Sequence, residues 1–165
     1  MPEISDVLVN EKAAELIAAF KEANLTFGTA ESCTGGLIAK SITDVAGASE
    51  IYLGSVVSYA NSVKAGVLGV SEKTLSSVGA VSADTAMQMA LGARDALGVA
   101  VAVSVTGIAG PGGGTEEKPV GLVYIAVCSA DDRVICEKCN FSGTRDEIRK
   151  QTAVRAMDMA IGALK

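Results

Sequence analysis

The chain is expected to fold as an α/β protein: a three-layer α/β/α sandwich around a mixed, mostly parallel sheet. Three observations lead there. Stretches with helical apolar spacing alternate with short β-branched runs along the chain. The run Val99 to Val105 is almost continuously apolar, as expected of a strand buried on both faces. Two late strand-like runs are separated by a tight acidic turn, which makes a hairpin and hence a mixed sheet. A length of 165 residues suits one domain, 1–165, with a real core. Its 18 glycines and absence of tryptophan suit close backbone contacts.

Residues 6–23 read as a helix, with Val9, Ala13, Leu16, Ile17 and Phe20 on one face and Asn24 as the stop. Leu25 to Ala30 is a short strand. It runs into a small polar turn, and a second helix follows from Leu37 to about Gly47. Ala48 to Glu50 is a turn, and residues 51–60 form a strand. Asn61 reads as the cap of a short helix ending at Gly69, and Ser71 caps another. Ser82 to Leu97 is a longer helix with a small-residue face of Ala86, Met89, Ala90 and Ala93. After the buried strand comes a loop, Thr106 to Thr115. Gly107, Gly110, Pro111, Gly112, Gly113 and Gly114 crowd it too densely for any regular element. Val120 to Ser129 and Arg133 to Phe141 are the hairpin strands. Thr144-x-x-Glu147 is a capping box opening a last helix to about residue 163.

Composition excludes several chemistries. The chain has no histidine, which removes Ser-His-Asp and Cys-His catalysis and every His-ligated metal site. The net charge is −5 with no basic stripe, so nucleic acid is not an expected partner. No run approaches the ~18 apolar residues of a membrane span. The N-terminus lacks a signal-peptide pattern, so a cytoplasmic protein is expected. Cys136-x-x-Cys139 has a metal-knuckle spacing, but it falls in a strand, where residues three apart face opposite ways. The four cysteines are expected to be free thiols and no metal or cofactor is expected.

The stretch Thr29-Ala-Glu-Ser-Cys-Thr-Gly-Gly36 draws the most attention. A strand that stops where a helix starts leaves backbone N–H groups free for an oxyanion or phosphate. Ser32 there is either a nucleophile or a helix cap. Cys33 beside it is a second candidate nucleophile, since a helix N-terminus lowers a thiol pKa. Lys64 in the first turn of its helix opposes the helix dipole; it is either simply solvated or held where its charge is disfavoured. The glycine loop is either a flexible connection or, at the carboxyl end of a central strand, a ligand surface. With no histidine, the hydrolytic set most consistent with these residues is a serine nucleophile with a lysine base and a tyrosine relay. Bringing a lysine from about 10.4 to near 7 takes about 4–5 kcal/mol of disfavoured charge.

Five motifs together carry a resemblance over nearly the whole chain. Ala30 to Gly36, Ser58-Tyr-Ala-Asn-Ser-Val-Lys64, Thr106 to Gly113, Glu116 to Gly121 and Phe141-Ser-Gly-Thr-Arg145 resemble the CinA C-terminal domain family in order and spacing. The family includes nicotinamide-nucleotide amidases, so the resemblance implies conversion of nicotinamide mononucleotide to nicotinate mononucleotide and ammonia, in pyridine-nucleotide salvage. It implies Ser32 as nucleophile, Lys64 as base and Tyr59 as the residue that shuttles or orients the proton. N–H groups around Cys33 to Gly35 are the oxyanion candidates, and Cys33, Thr34, Gly35 and Gly36 count among the substrate-binding residues. Asn61, Thr106, Gly107, Gly110, Gly112, Gly113 and Arg145 are the substrate-binding candidates, Arg145 and the glycine loop at the ribose-phosphate end. The family's habit also implies a homo-oligomer, with a dimer expected. Many relatives carry a further N-terminal domain, and activity belonging to that domain is not expected here. The competing expectation is a nucleotide-binding or regulatory module without turnover, because the same loops and helix ends would serve it.

Overall fold

The computed structural model describes residues 4–165. Helix α1 spans Asp6–Ala23, capped by Ser5 and ended by Asn24 in the left-handed conformation. Then follow β1 (Phe27–Glu31), α2 (Leu37–Thr43), a 3-10 turn (Ala48–Glu50), β2 (Tyr52–Val57), α3 (Asn61–Leu68) and α4 (Glu72–Ser77). The remainder is α5 (Ala83–Leu97), β3 (Val101–Gly107), β4 (Leu122–Cys128), β5 (Val134–Asn140) and α6 (Arg145–Gly162). The sheet order is β2-β1-β3-β4-β5. Strands β2, β1 and β3 pair in parallel, while β3–β4 and β4–β5 pair antiparallel, so β4 alone runs against the others.

Strand alternation sorts the core into two unlike faces. Val101, Val103 and Val105 of β3 and Val123, Ile125 and Val127 of β4 meet α1, α2 and α6. Phe20 of α1 and Phe27 of β1 meet there in a tilted contact, 4.9 Å between ring centroids. Each buried ring contributes about 1.5–3 kcal/mol. The opposite face is built small, from Ala30, Ala102, Ala126 and Cys128, and receives the small face of α5. That closeness lets Ser104 Oγ donate to Ala86 O across the layer at 2.5 Å. Helix α5 also abuts α3. A Cβ on Gly92 would lie 1.8 Å from Leu68 O, so only glycine permits the crossing.

Several boundaries differ from expectation. Thr106 and Gly107 belong to β3 rather than to the glycine loop, because they pair with Tyr124 and Val123 of β4. Strand β2 stops at Val57, so Tyr59 follows the strand instead of ending it. Ala60, not Asn61, precedes the first turn of α3, and it makes no side-chain cap. Cys139 packs in the core under α6 while Cys136 packs on the α5 side, as the strand reading expects. Among the described residues, no helix is long and apolar enough to cross a membrane.

Candidate active site

The three parallel strands end side by side, and each delivers part of the site. Register pairs Glu31 with Val57 on one flank and with Val105 on the other. Ser32 therefore follows β1, Ser58 and Tyr59 follow β2, and Thr106 and Gly107 close β3 along one rim. Carboxyl ends of strands in open α/β sheets are the usual ligand edge.

Ser32 is not a helix cap. Helix α2 begins at Leu37 behind Gly36, whose φ of 99° lies in the left-handed region that glycine adopts freely. The helix N-terminus is not open to a ligand either. The wholly buried Glu31 side chain occupies it, accepting from Gly36 N, Ile38 N and Ala39 N at 3.0, 3.1 and 2.8 Å. Ser32 N–H is committed to Val105 O and Gly35 N–H to Ser32 O. Of the four residues Cys33 to Gly36, only Cys33 and Thr34 keep backbone N–H groups without a hydrogen bond to the described residues.

Lys64 is 1% exposed despite its place in the first turn of α3. Its Nζ reaches Ser32 Oγ at 3.0 Å, Ser58 O at 2.6 Å and Tyr59 O at 3.4 Å. None of these partners is anionic. Burial lowers its pKa below the ordinary 10.5, because a charge removed from water without a counter-ion is disfavoured. Cys33 is also buried, and burial pushes its thiol up to about 12. The expected lowering at a helix start fails because the helix starts four residues later and Glu31 takes its dipole end.

Tyr59 is 64% exposed, and its phenol oxygen meets Arg145 Nη2 at 3.3 Å. Its backbone carbonyl, not its hydroxyl, is what meets Lys64. Arg145 opens α6 as expected and also donates to Gly110 O at 2.8 Å. A cavity of about 210 Å³ lies among these groups. Ser32, Cys33, Lys64, Thr106 and Gly107 line its inner part, and Tyr59, Asn61 and Arg145 its remaining polar wall. Gly110 touches the site through its carbonyl, whereas Gly112 and Gly113 are exposed and do not line the cavity.

Sequence reasoning missed five residues here. Ala80, Val81 and Ala109 supply an apolar wall. Nothing local marks the 78–81 segment; Thr106 Oγ1 holds it through Ala80 O and Lys118 Nζ through Val78 O. Glu31 stood within a quoted motif without a role. Arg149 donates to Thr34 O at 2.6 Å; its four-residue spacing from Arg145 on one helix was the available signal. Among the described residues, no three Cys, Asp or Glu side chains gather as a metal site.

Comparison with known proteins bears on this geometry. Residues 9–164 match the family model of the CinA C-terminal domain. The chain belongs to the CinA C-terminal domain family. A family relative named nicotinamide-nucleotide amidohydrolase PncC, from Enterobacter agglomerans, is 48% identical over 96% of both chains. A CinA-like protein of Leptospira borgpetersenii is 49% identical over 92% of this chain but only 36% of its own length. The chain thus spans about a third of such longer relatives. Among solved structures, the competence/damage inducible protein CihA from Agrobacterium tumefaciens superposes with a TM-score of 0.93 at 42% identity, covering 100% of this chain and 99% of that one. A CinA superfamily protein from Klebsiella pneumoniae gives 0.90 at 28% identity, covering 94% and 97%.

Proposed function

We propose that the protein is a nicotinamide-nucleotide amidohydrolase that converts nicotinamide mononucleotide to nicotinate mononucleotide and ammonia. The observation that carries the reading is the buried contact of Lys64 Nζ with Ser32 Oγ. The full-length likeness to a protein named for this activity supports the substrate.

The contacts of Lys64 suit a base. A neutral amine has two N–H donors and one lone pair. With Ser58 O and Tyr59 O taking the donors, the lone pair faces the Ser32 hydroxyl. Ser32 Oγ attacks the carboxamide carbon as its proton passes to Lys64. The oxygen of the tetrahedral intermediate takes hydrogen bonds from Cys33 N–H and Thr34 N–H, the donors left uncommitted in the turn. Lys64 then protonates the departing nitrogen, ammonia leaves, and an acyl ester remains on Ser32. Water attacks that ester, giving its proton to Lys64, which returns it to Ser32 Oγ as the carboxylate is released.

The apolar wall of Ala80, Val81 and Ala109 suits a pyridine ring. Arg145 at the exposed rim suits the phosphate. Tyr59, bonded to Arg145, orients that end of the site in this reading, and the proton passes directly between Ser32 and Lys64. The test is product analysis of nicotinamide mononucleotide incubated with the purified protein. One nicotinate mononucleotide and one ammonia per substrate consumed supports the proposal; binding without breakdown overturns it in favour of a binding module.

A further inference from the structure

Thr34 is completely buried and held from two sides. Its hydroxyl donates to Glu31 Oε2 at 2.7 Å, and its carbonyl accepts from Arg149 Nη2 at 2.6 Å. Glu31 is the hub of the turn. Besides Thr34 Oγ1 it takes three backbone N–H groups from the start of α2, and Thr29 Oγ1 lies 3.3 Å from Oε1. A carboxylate with both oxygens saturated in this way fixes the path of the chain through Ser32 to Gly36. Together with Thr34 O, which accepts from Leu37 N–H, it takes up the early helix donors that would otherwise compete for an anion. Within Ser32 to Gly36, the amides left without a partner among the described residues are those of Cys33 and Thr34, directly after the nucleophile.

We infer that Glu31 is a positioning residue for acyl transfer. With Arg149 bracing the far side of Thr34, it aims the Cys33 and Thr34 amides at the developing oxyanion. The inference rests on the proposed Ser32 chemistry and adds to it the residues that set the geometry of its turn. Glu31 does not touch substrate; it acts through Thr34 and the first amides of α2. Glutamine at position 31 keeps the shape but presents an N–H₂ to donors on one side. The turn then shifts while the Arg145 end of the cavity stays in place.

The deciding probe is pyridine-3-boronic acid. Its boron accepts Ser32 Oγ to form a tetrahedral adduct, the serine proton passes to Lys64, and one boron hydroxyl takes the oxyanion position. Its dissociation constant is measured by calorimetry for the parent and Glu31→Gln, with Ser32→Ala as the blank. Binding of the product nicotinate mononucleotide is measured in parallel. The expected result is a loss of at least 30-fold in boronate affinity in Glu31→Gln, with product affinity changed less than threefold. A merely structural role would weaken both ligands together. Thr34→Val carries the same test if Glu31→Gln does not fold, because it deletes only the hydroxyl link. Thr34→Ser, which keeps that link, is expected to bind the boronate at least tenfold more tightly than Thr34→Val. Equal boronate affinity in parent and variants, parallel loss of both ligands, or no adduct in the parent overturns the inference. Absence of ammonia release from the mononucleotide by the parent would sink the proposed function instead, and the boronate comparison reads the turn independently of that substrate.

Discussion

Lys64 Nζ lies 3.0 Å from Ser32 Oγ although 32 residues of chain separate them. The pairing is produced by two neighbouring parallel strands that end at the same level, β1 delivering Ser32 and β2 leading into α3. Lys64 is nearly without solvent and has only uncharged partners, which favours its neutral form.

That burial has a sign in stability. The folded pKa of Lys64 lies below 10.5, so between the folded and unfolded values the unfolded chain binds more protons. Stability contributed by this group therefore rises with pH across that window, and below it the cost of burying the charge is fully present. Urea unfolding at a series of pH values is expected to show this rise in the parent and to lack it in Lys64→Met. The same ionisation sets an acid limb in kcat/KM: the rate falls as pH drops through the folded pKa, below the ordinary lysine range.

Cys33 should be chemically quiet. Its thiol is buried and pushed up to about 12, so almost no thiolate exists at pH 8. Native protein treated with iodoacetamide at pH 8 is expected to leave the Cys33 peptide unmodified by mass spectrometry, while denatured protein is labelled. Rapid native labelling of Cys33 would contradict a buried, protonated thiol at this position.

Much of the fold was legible along the chain, and the reasons are local. Val9, Ala13, Leu16, Ile17 and Phe20 recur at helical spacing, and all five are buried in α1. The Thr144–Glu147 capping box forms as its motif requires. Thr106 and Gly107 were misread as loop because their strand partners, Tyr124 and Val123, lie beyond the glycine run. Ser32 looked like a cap because the side chain that caps α2, Glu31, accepts from residues five to eight positions ahead only once the turn has folded. The burial of Lys64 has no local signature, since it depends on β1 and β2 ending together.

Gly92→Ala tests how α3 is held. Its new Cβ would meet Leu68 backbone at the crossing of α5 and α3, and neither helix backbone can yield as a flexible side chain would. The substitution is expected to cost about 1–3 kcal/mol in urea unfolding. It should also lower kcat, because α3 carries Lys64. Parent-like stability would mean that the helices are not in close contact.

Arg145→Ala separates the phosphate end from the reaction centre. Arg145 lines the cavity but is bonded to Gly110 O and Tyr59 rather than to Ser32 or Lys64. KM for nicotinamide mononucleotide is expected to rise about 10–100-fold, equivalent to about 1.4–2.8 kcal/mol. KM for nicotinamide riboside, which lacks the phosphate, should change less than threefold. An equal rise for both substrates would remove Arg145 from phosphate recognition.

Ammonia release from nicotinamide mononucleotide by the parent, Ser32→Ala, Lys64→Met and Cys33→Ala, measured side by side, tests the Ser32–Lys64 pair most directly. The account predicts a loss of about 10³-fold or more in kcat for both Ser32→Ala and Lys64→Met, and a loss within tenfold for Cys33→Ala. Near-parental release by Ser32→Ala, or abolition by Cys33→Ala alone, would contradict it.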